Sequence, residues 1–77
     1  MKIKELLEVC KYSKFKLHSG YNGSLVATSR DSLLKYGDVD VLSIYPKMNV
    51  SSDGTFTTAY LYVFGNAYQI REVKRNI

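Results

Sequence analysis

The run "FTTAYLYVFG", residues 56–65, sorts its side chains by parity. Successive side chains of an extended chain point to opposite faces. One face therefore carries Phe56, Thr58, Tyr60, Tyr62 and Phe64, and the other carries Thr57, Ala59, Leu61 and Val63. A strand with two such different faces needs two different surroundings. The aliphatic face suits a close-packed helix layer. The tyrosine face suits a boundary with water, because a tyrosine ring has a large apolar body and a polar tip. The chain must build a small sheet covered on one side.

The remaining segments supply that architecture. "VDVLSIYP", residues 39–46, predicts a second strand, with Leu42 and Ile44 on the aliphatic face and Val41, Ser43 and Tyr45 on the tyrosine face. Pro46 lacks an N–H, so this strand ends there or lies at an edge. "KMNVSSDGT" reads as the connecting loop, with Asp53-Gly54 as its turn. "KFKLHSGYNGSLVATS" reads as a hairpin turning at Asn22-Gly23, a pair suited to positive φ. Phe15 and Leu17 should face the helix layer, which places Lys16 and His18 on the open side.

Ile3, Leu6, Leu7 and Cys10 follow i, i+3, i+4, i+7 spacing and predict a short amphipathic helix. "SRDSLLKYGD" predicts a second, shorter one, capped by Asp31 or Ser29, ended by positive φ at Gly37, with Leu33 and Leu34 inward. "AYQIREVKR" fits a strand or a final helical turn. The expectation is one α+β domain over residues 1–77. It has an antiparallel sheet of four or five strands, an N-terminal helix on one face and a short second helix. Leu6, Ile44 and Leu61 should be fully buried.

Seventy-seven residues allow one thin core, since chains of this size bury only about 60% of their unfolded surface. The net charge of +4 permits a polyanionic partner and counts against an acidic mimic of DNA. A single cysteine forms no internal disulfide and fits a reducing cytoplasm. Cys10 is read as a packed thiol, with activation by Lys11 and Lys14 as the alternative. No apolar run approaches ~20 residues, so no transmembrane helix is expected. "MKIKELLEVCKYSK" mixes acids among its apolar residues, unlike a signal peptide.

Catalytic signatures are missing. One histidine cannot anchor a metal site of usual spacing. The glycines are scattered, so no phosphate-cradling loop forms. Asp38 and Asp40 read as hairpin-edge charges rather than a carboxylate dyad. The expectation is a non-enzyme without cofactor or metal. The candidate binding residues are Tyr45, Tyr60 and Tyr62, with Lys16, His18, Arg71, Lys74 and Arg75 at their margin. Tyrosine offers rigid amphipathic contact area and is enriched at interface hot spots. The same residues fit two alternatives: base stacking with phosphate contacts in a nucleic-acid-binding protein, or a sponge for a signalling nucleotide. Cross-strand tyrosines can also be purely structural. The basic-Gly-aromatic opening of the RRM signature is absent from "AYLYVFGNAY".

The stretches "MKIKELLEV", "KYGDVDVLSIYP" and "LYVFG" make the chain similar to small phage and prophage proteins of Gram-positive bacteria, in which a short helix precedes a small antiparallel sheet. "KMNVSSDGTFTT" is longer than the corresponding part of that pattern. The resemblance implies a mobile-element setting in a host cytoplasm. It further implies action by binding and inhibiting a host protein, as anti-CRISPR and other counter-defence factors do.

Overall fold

The computed structural model describes residues 1–76. Three helices, α1 (Ile3–Val9), α2 (Arg30–Leu34) and α3 (Ala67–Arg75), accompany four strands, β1 (Phe15–Ser19), β2 (Leu25–Ala27), β3 (Val41–Val50) and β4 (Phe56–Gly65). The fold is α+β, as the sequence predicts. The sheet order is β2-β1-β4-β3. The outer pairs are antiparallel, but the central pair β1–β4 is parallel, so the sheet is mixed rather than antiparallel. Local sequence pattern cannot reveal that pairing, since it joins segments some 45 residues apart.

One hydrophobic cluster lies on one side of the sheet. Ile3, Leu6 and Leu7 of α1, Leu33 of α2 and Ile70 of α3 meet Phe15, Leu17, Ala27 and Val63 of the strands. Cys10 packs against its margin. Leu6 is buried as expected, whereas Ile44 and Leu61 are only partly so. Leu34 points to solvent rather than inward.

Short helices need help at their ends, because the first N–H groups and last C=O groups have no intrahelical partner. The Ile3 and Lys4 amides of α1 donate to the carbonyls of Val39 and Gly37, both at 3.0 Å. At the other end, the Arg30 guanidinium donates to the carbonyls of Leu7, Cys10 and Lys11 at 2.8, 2.8 and 2.6 Å. A cation there also complements the negative end of the helix dipole. The segment after β2 thus clamps α1 from both ends. Ser29 caps α2 by accepting from the Ser32 amide at 3.2 Å. Gly37 does not take up positive φ; only Gly20 and Gly54 do. The first hairpin's connection, residues 20–24, contains Asn22-Gly23 as expected but takes its positive φ at Gly20, while the turn at Gly54 agrees with the sequence.

"AYQIREVKR" forms the nine-residue helix α3. Asn66 caps it by accepting from the Gln69 amide at 3.0 Å. Gln69 then pins the helix to the sheet entrance: its Oε1 accepts from the Asp40 amide at 2.6 Å and its Nε2 donates to the Asp40 carboxylate at 2.9 Å. That bond, and Lys2 beside it, hold the Asp40 carboxyl below its ordinary pKa. Asp38 pairs with Lys4 at 2.9 Å. Each aspartate thus meets a lysine, and the two do not form a dyad. Gly65 is required where α3 turns back onto the sheet. A Cβ there would lie 3.1 Å from Ile70 Cδ1 and Val39 Cγ1 and 3.2 Å from Leu17 Cδ1.

The β3–β4 hairpin continues past the helix layer. "KMNVSSDGT" is strand in its first four residues: β3 runs on to Val50, and the turn occupies residues 51–55. At its tip the Asp53 carboxylate accepts from Thr55 Oγ1 at 2.6 Å, from the Thr55 amide at 3.0 Å and from Ser51 Oγ. These donors lower the Asp53 pKa to about 2. The projection gives the molecule extents of 47 × 25 × 19 Å.

Candidate functional site

The sheet face opposite the helices is the aromatic one. Across the central strands Lys16 stands beside Tyr62, and His18 beside Phe64. On the other side Tyr45 faces Tyr62, Lys47 faces Tyr60 and Ser43 faces Phe64. Paired residues on adjacent strands share a face, so Lys16, His18, Tyr45, Tyr60 and Tyr62 come together as the sequence predicts. Parity along β4 also places Phe64 on this face, and the β1–β2 loop adds Tyr21, which the sequence pattern does not predict. Tyr21 sits in an irregular loop, where no periodicity signals its direction.

The rings form a continuous cluster. His18 contacts Tyr62 and Phe64, each with centroids 5.6 Å apart. Tyr21 lies 5.6 Å from Phe64, and Tyr45 meets Phe64 edge-on at 5.9 Å. Tyr60 and Tyr62 meet edge-on at 5.0 Å, with their hydroxyls 2.8 Å apart. The Lys16 ammonium sits 4.2 Å from the Tyr60 ring centroid, a cation–π distance. The hydrogen bond between the two hydroxyls, in which either can donate, together with the nearby Lys16 ammonium, lowers the pKa of Tyr60, and the same bond raises that of Tyr62. His18 Nε2 and Ser43 Oγ, which flank Phe64, have no hydrogen-bond partner among the described residues.

Exposure differs across the cluster. Tyr21 and Tyr45 are 61% and 59% exposed, while His18, Tyr60, Tyr62 and Phe64 are half-buried. The face thus combines a half-buried floor with two more exposed rings that rest against Phe64.

Two β-bulges alter what simple alternation predicts. A register shift between Val41 and Ser43 turns Val41 toward the core and leaves Leu42 exposed, the reverse of the expected assignment. A second shift between Lys47 and Met48 leaves Ala59 with no residue opposite. Beyond it Met48 faces Thr58 and Val50 faces Phe56. Phe56 and Thr58 therefore leave the tyrosine face for the helix side, since a bulge inserts one residue and reverses the parity.

The basic residues of the C-terminal segment do not join the aromatic face. Ile70 and Val73 place α3 in the helix layer, so Arg71, Lys74 and Arg75 lie on the opposite side of the sheet from Tyr45, Tyr60 and Tyr62. Arg75 pairs with Glu72 at 3.1 Å. Lys74 and Arg75 occupy the last turn of α3, where positive charge complements the helix dipole.

Among the described residues no three His, Cys, Asp or Glu side chains gather as metal ligands. No helix there is long and apolar enough to cross a membrane. No protein-family model, curated protein or solved structure matches the chain.

Proposed function

We propose that the protein acts by stoichiometric, non-enzymatic binding of another protein, with the aromatic face of β1, β3 and β4 as the contact surface. The observation that carries this reading is the ring cluster itself: six aromatic or imidazole side chains, His18, Tyr21, Tyr45, Tyr60, Tyr62 and Phe64, on a sheet face that the helices leave open. Rigid aromatic anchors with polar tips are the side chains that dominate binding energy at protein interfaces. Lys16 and Lys47 add positive charge at the margin, which steers encounter with an acidic surface.

The separation of the α3 cations favours a protein partner over nucleic acid. A single-stranded nucleic acid needs stacking rings and phosphate contacts along one path, and here Arg71, Lys74 and Arg75 lie on the opposite layer from the rings. In a mobile-element setting, the partner is a host protein and binding inhibits it; counter-defence is the form of this role that the resemblance to phage proteins suggests.

The test is capture from host lysate, with and without nuclease, using wild type, Tyr60→Ser/Tyr62→Ser and Arg71→Gln/Lys74→Gln/Arg75→Gln. Nuclease-resistant capture of a defined protein, lost in the tyrosine variant and kept in the α3 variant, is the expected result. Nuclease-sensitive capture that depends on the α3 cations would transfer the function to nucleic-acid binding.

A further inference from the structure

We infer that the open edge of β4, residues 56–60, is a docking site for an extended, acidic segment of a partner protein, which adds to the sheet as a strand. This does not depend on the aromatic face being a contact surface. Three unpaired edges of the sheet, among the described residues, are not equivalent. The outer edge of β2 is three residues long. The outer edge of β3 is long but carries Pro46 and Lys47, and a proline without N–H together with a lysine is how natural sheets block pairing. The third edge is internal. β1 pairs with β4 only from Phe15 opposite Leu61 onward, so residues 56–60 of β4 have β3 as their sole strand neighbour.

That edge opens into a cleft. The Leu61 amide donates to the Lys14 carbonyl at 2.8 Å, the last link before the chain peels away. Beyond it Tyr12, Ser13 and Lys14 stand across from Thr58, Ala59 and Tyr60, enclosing about 320 Å³. A cleft with a strand edge on one wall and loop on the other suits one extended peptide, whose main chain supplies hydrogen bonds and whose alternate side chains supply specificity. Charge selects the occupant. Lys14 lines the cleft, Lys16 lies over Tyr60 and Lys47 is directly opposite Tyr60. No acidic side chain lines it. Three cations around one end of the edge oppose pairing with the same edge of a second copy, which carries the same sign of charge, and favour carboxylates.

The probe is a blocked hexapeptide alternating glutamate with valine, titrated into the ¹⁵N-labelled protein, beside a matched peptide alternating lysine with valine. Saturable shifts at residues 12–14 and 56–60, slowed amide exchange within 56–60, and preference for the glutamate peptide are expected. In Lys14→Glu, a solvent-exposed change that leaves the melting temperature unchanged, the glutamate peptide should bind about threefold more weakly and the preference should narrow or invert. Absence of saturation at millimolar peptide, equal binding of both peptides, or shifts confined to the aromatic face would overturn the inference. So would slowed exchange at 56–60 that grows with protein concentration alone, which would make the occupant a second copy.

Discussion

Near the base of the β3–β4 hairpin Ile44 faces Val63, and farther out Val50 faces Phe56. The two pairs have similar chemistry and lie on the same side of the sheet. Val63 is fully buried, whereas Val50 and Phe56 are 62% and 65% exposed. The difference comes from the helix layer. α1, α2 and α3 cover the sheet between the Phe15–Leu61 and Ser19–Gly65 pairs and stop short of the projecting half of the hairpin. Strand formation itself does not require cover, because cross-strand pairs and a well-bonded turn sustain the outer half. Burial, and with it stability, is concentrated in the covered half.

This contrast can be broken by mutation. Leu17→Ala removes a side chain that is 0% exposed and should cost ~2–5 kcal/mol, a large share of what so small a domain holds; denaturant unfolding measures it. Leu61→Ala, at the boundary between the halves, should cost less, because Leu61 is only partly buried. Arg30→Ala strips the carbonyls of Leu7, Cys10 and Lys11, at and just past the C-terminal end of α1, of their donor and should cost ~1.5–3 kcal/mol, with amide exchange in α1 accelerating before that in β4. Gly65→Ala forces a methyl against Ile70, Val39 and Leu17 and should cost ~1–3 kcal/mol. Phe56→Ser in the outer half should change stability by no more than ~0.5 kcal/mol. A loss comparable to that of Leu17→Ala would show that the outer half is part of the cooperative core.

The smallest effect is a pH dependence confined to the hairpin tip. Asp53 has a folded pKa lowered to about 2, against roughly 3.9 in an unfolded chain. Between these values the unfolded state binds more protons, so stability rises with pH. The tip contribution is fully present above about pH 4 and is lost as pH falls toward 2. Chemical shifts of Ser51 and Thr55 followed through acid titration should report it, and Asp53→Asn should abolish the transition.

The aromatic face was legible in the sequence because parity along one strand is a local property. Lys16, His18, Tyr45, Tyr60 and Tyr62 could all be placed by counting residues. Counting failed wherever a bulge intervened: the exchange of Val41 and Leu42, and the departure of Phe56 and Thr58 to the helix side, each follow from a register shift that no residue type announces. The parallel β1–β4 pair and the location of α3 were hidden for a different reason. Both depend on contacts between distant segments, such as Gln69 with Asp40 and Ile70 over Gly65. The Asn66 cap was the one local sign that "AYQIREVKR" is helical. The same non-local packing separates Arg71, Lys74 and Arg75 from the tyrosines, a division that alters which partner the surface fits.

The most direct test is to compare folding and binding in Tyr60→Ser/Tyr62→Ser. The edge-on ring pair is worth ~0.5–1.5 kcal/mol beyond its buried area, so the variant should still unfold cooperatively, with a loss well below that of Leu17→Ala. Its affinity for the captured host protein should fall by at least ~2 kcal/mol. A variant that unfolds outright, or one that keeps full affinity with its fold intact, would contradict the assignment of stability to one face of the sheet and recognition to the other.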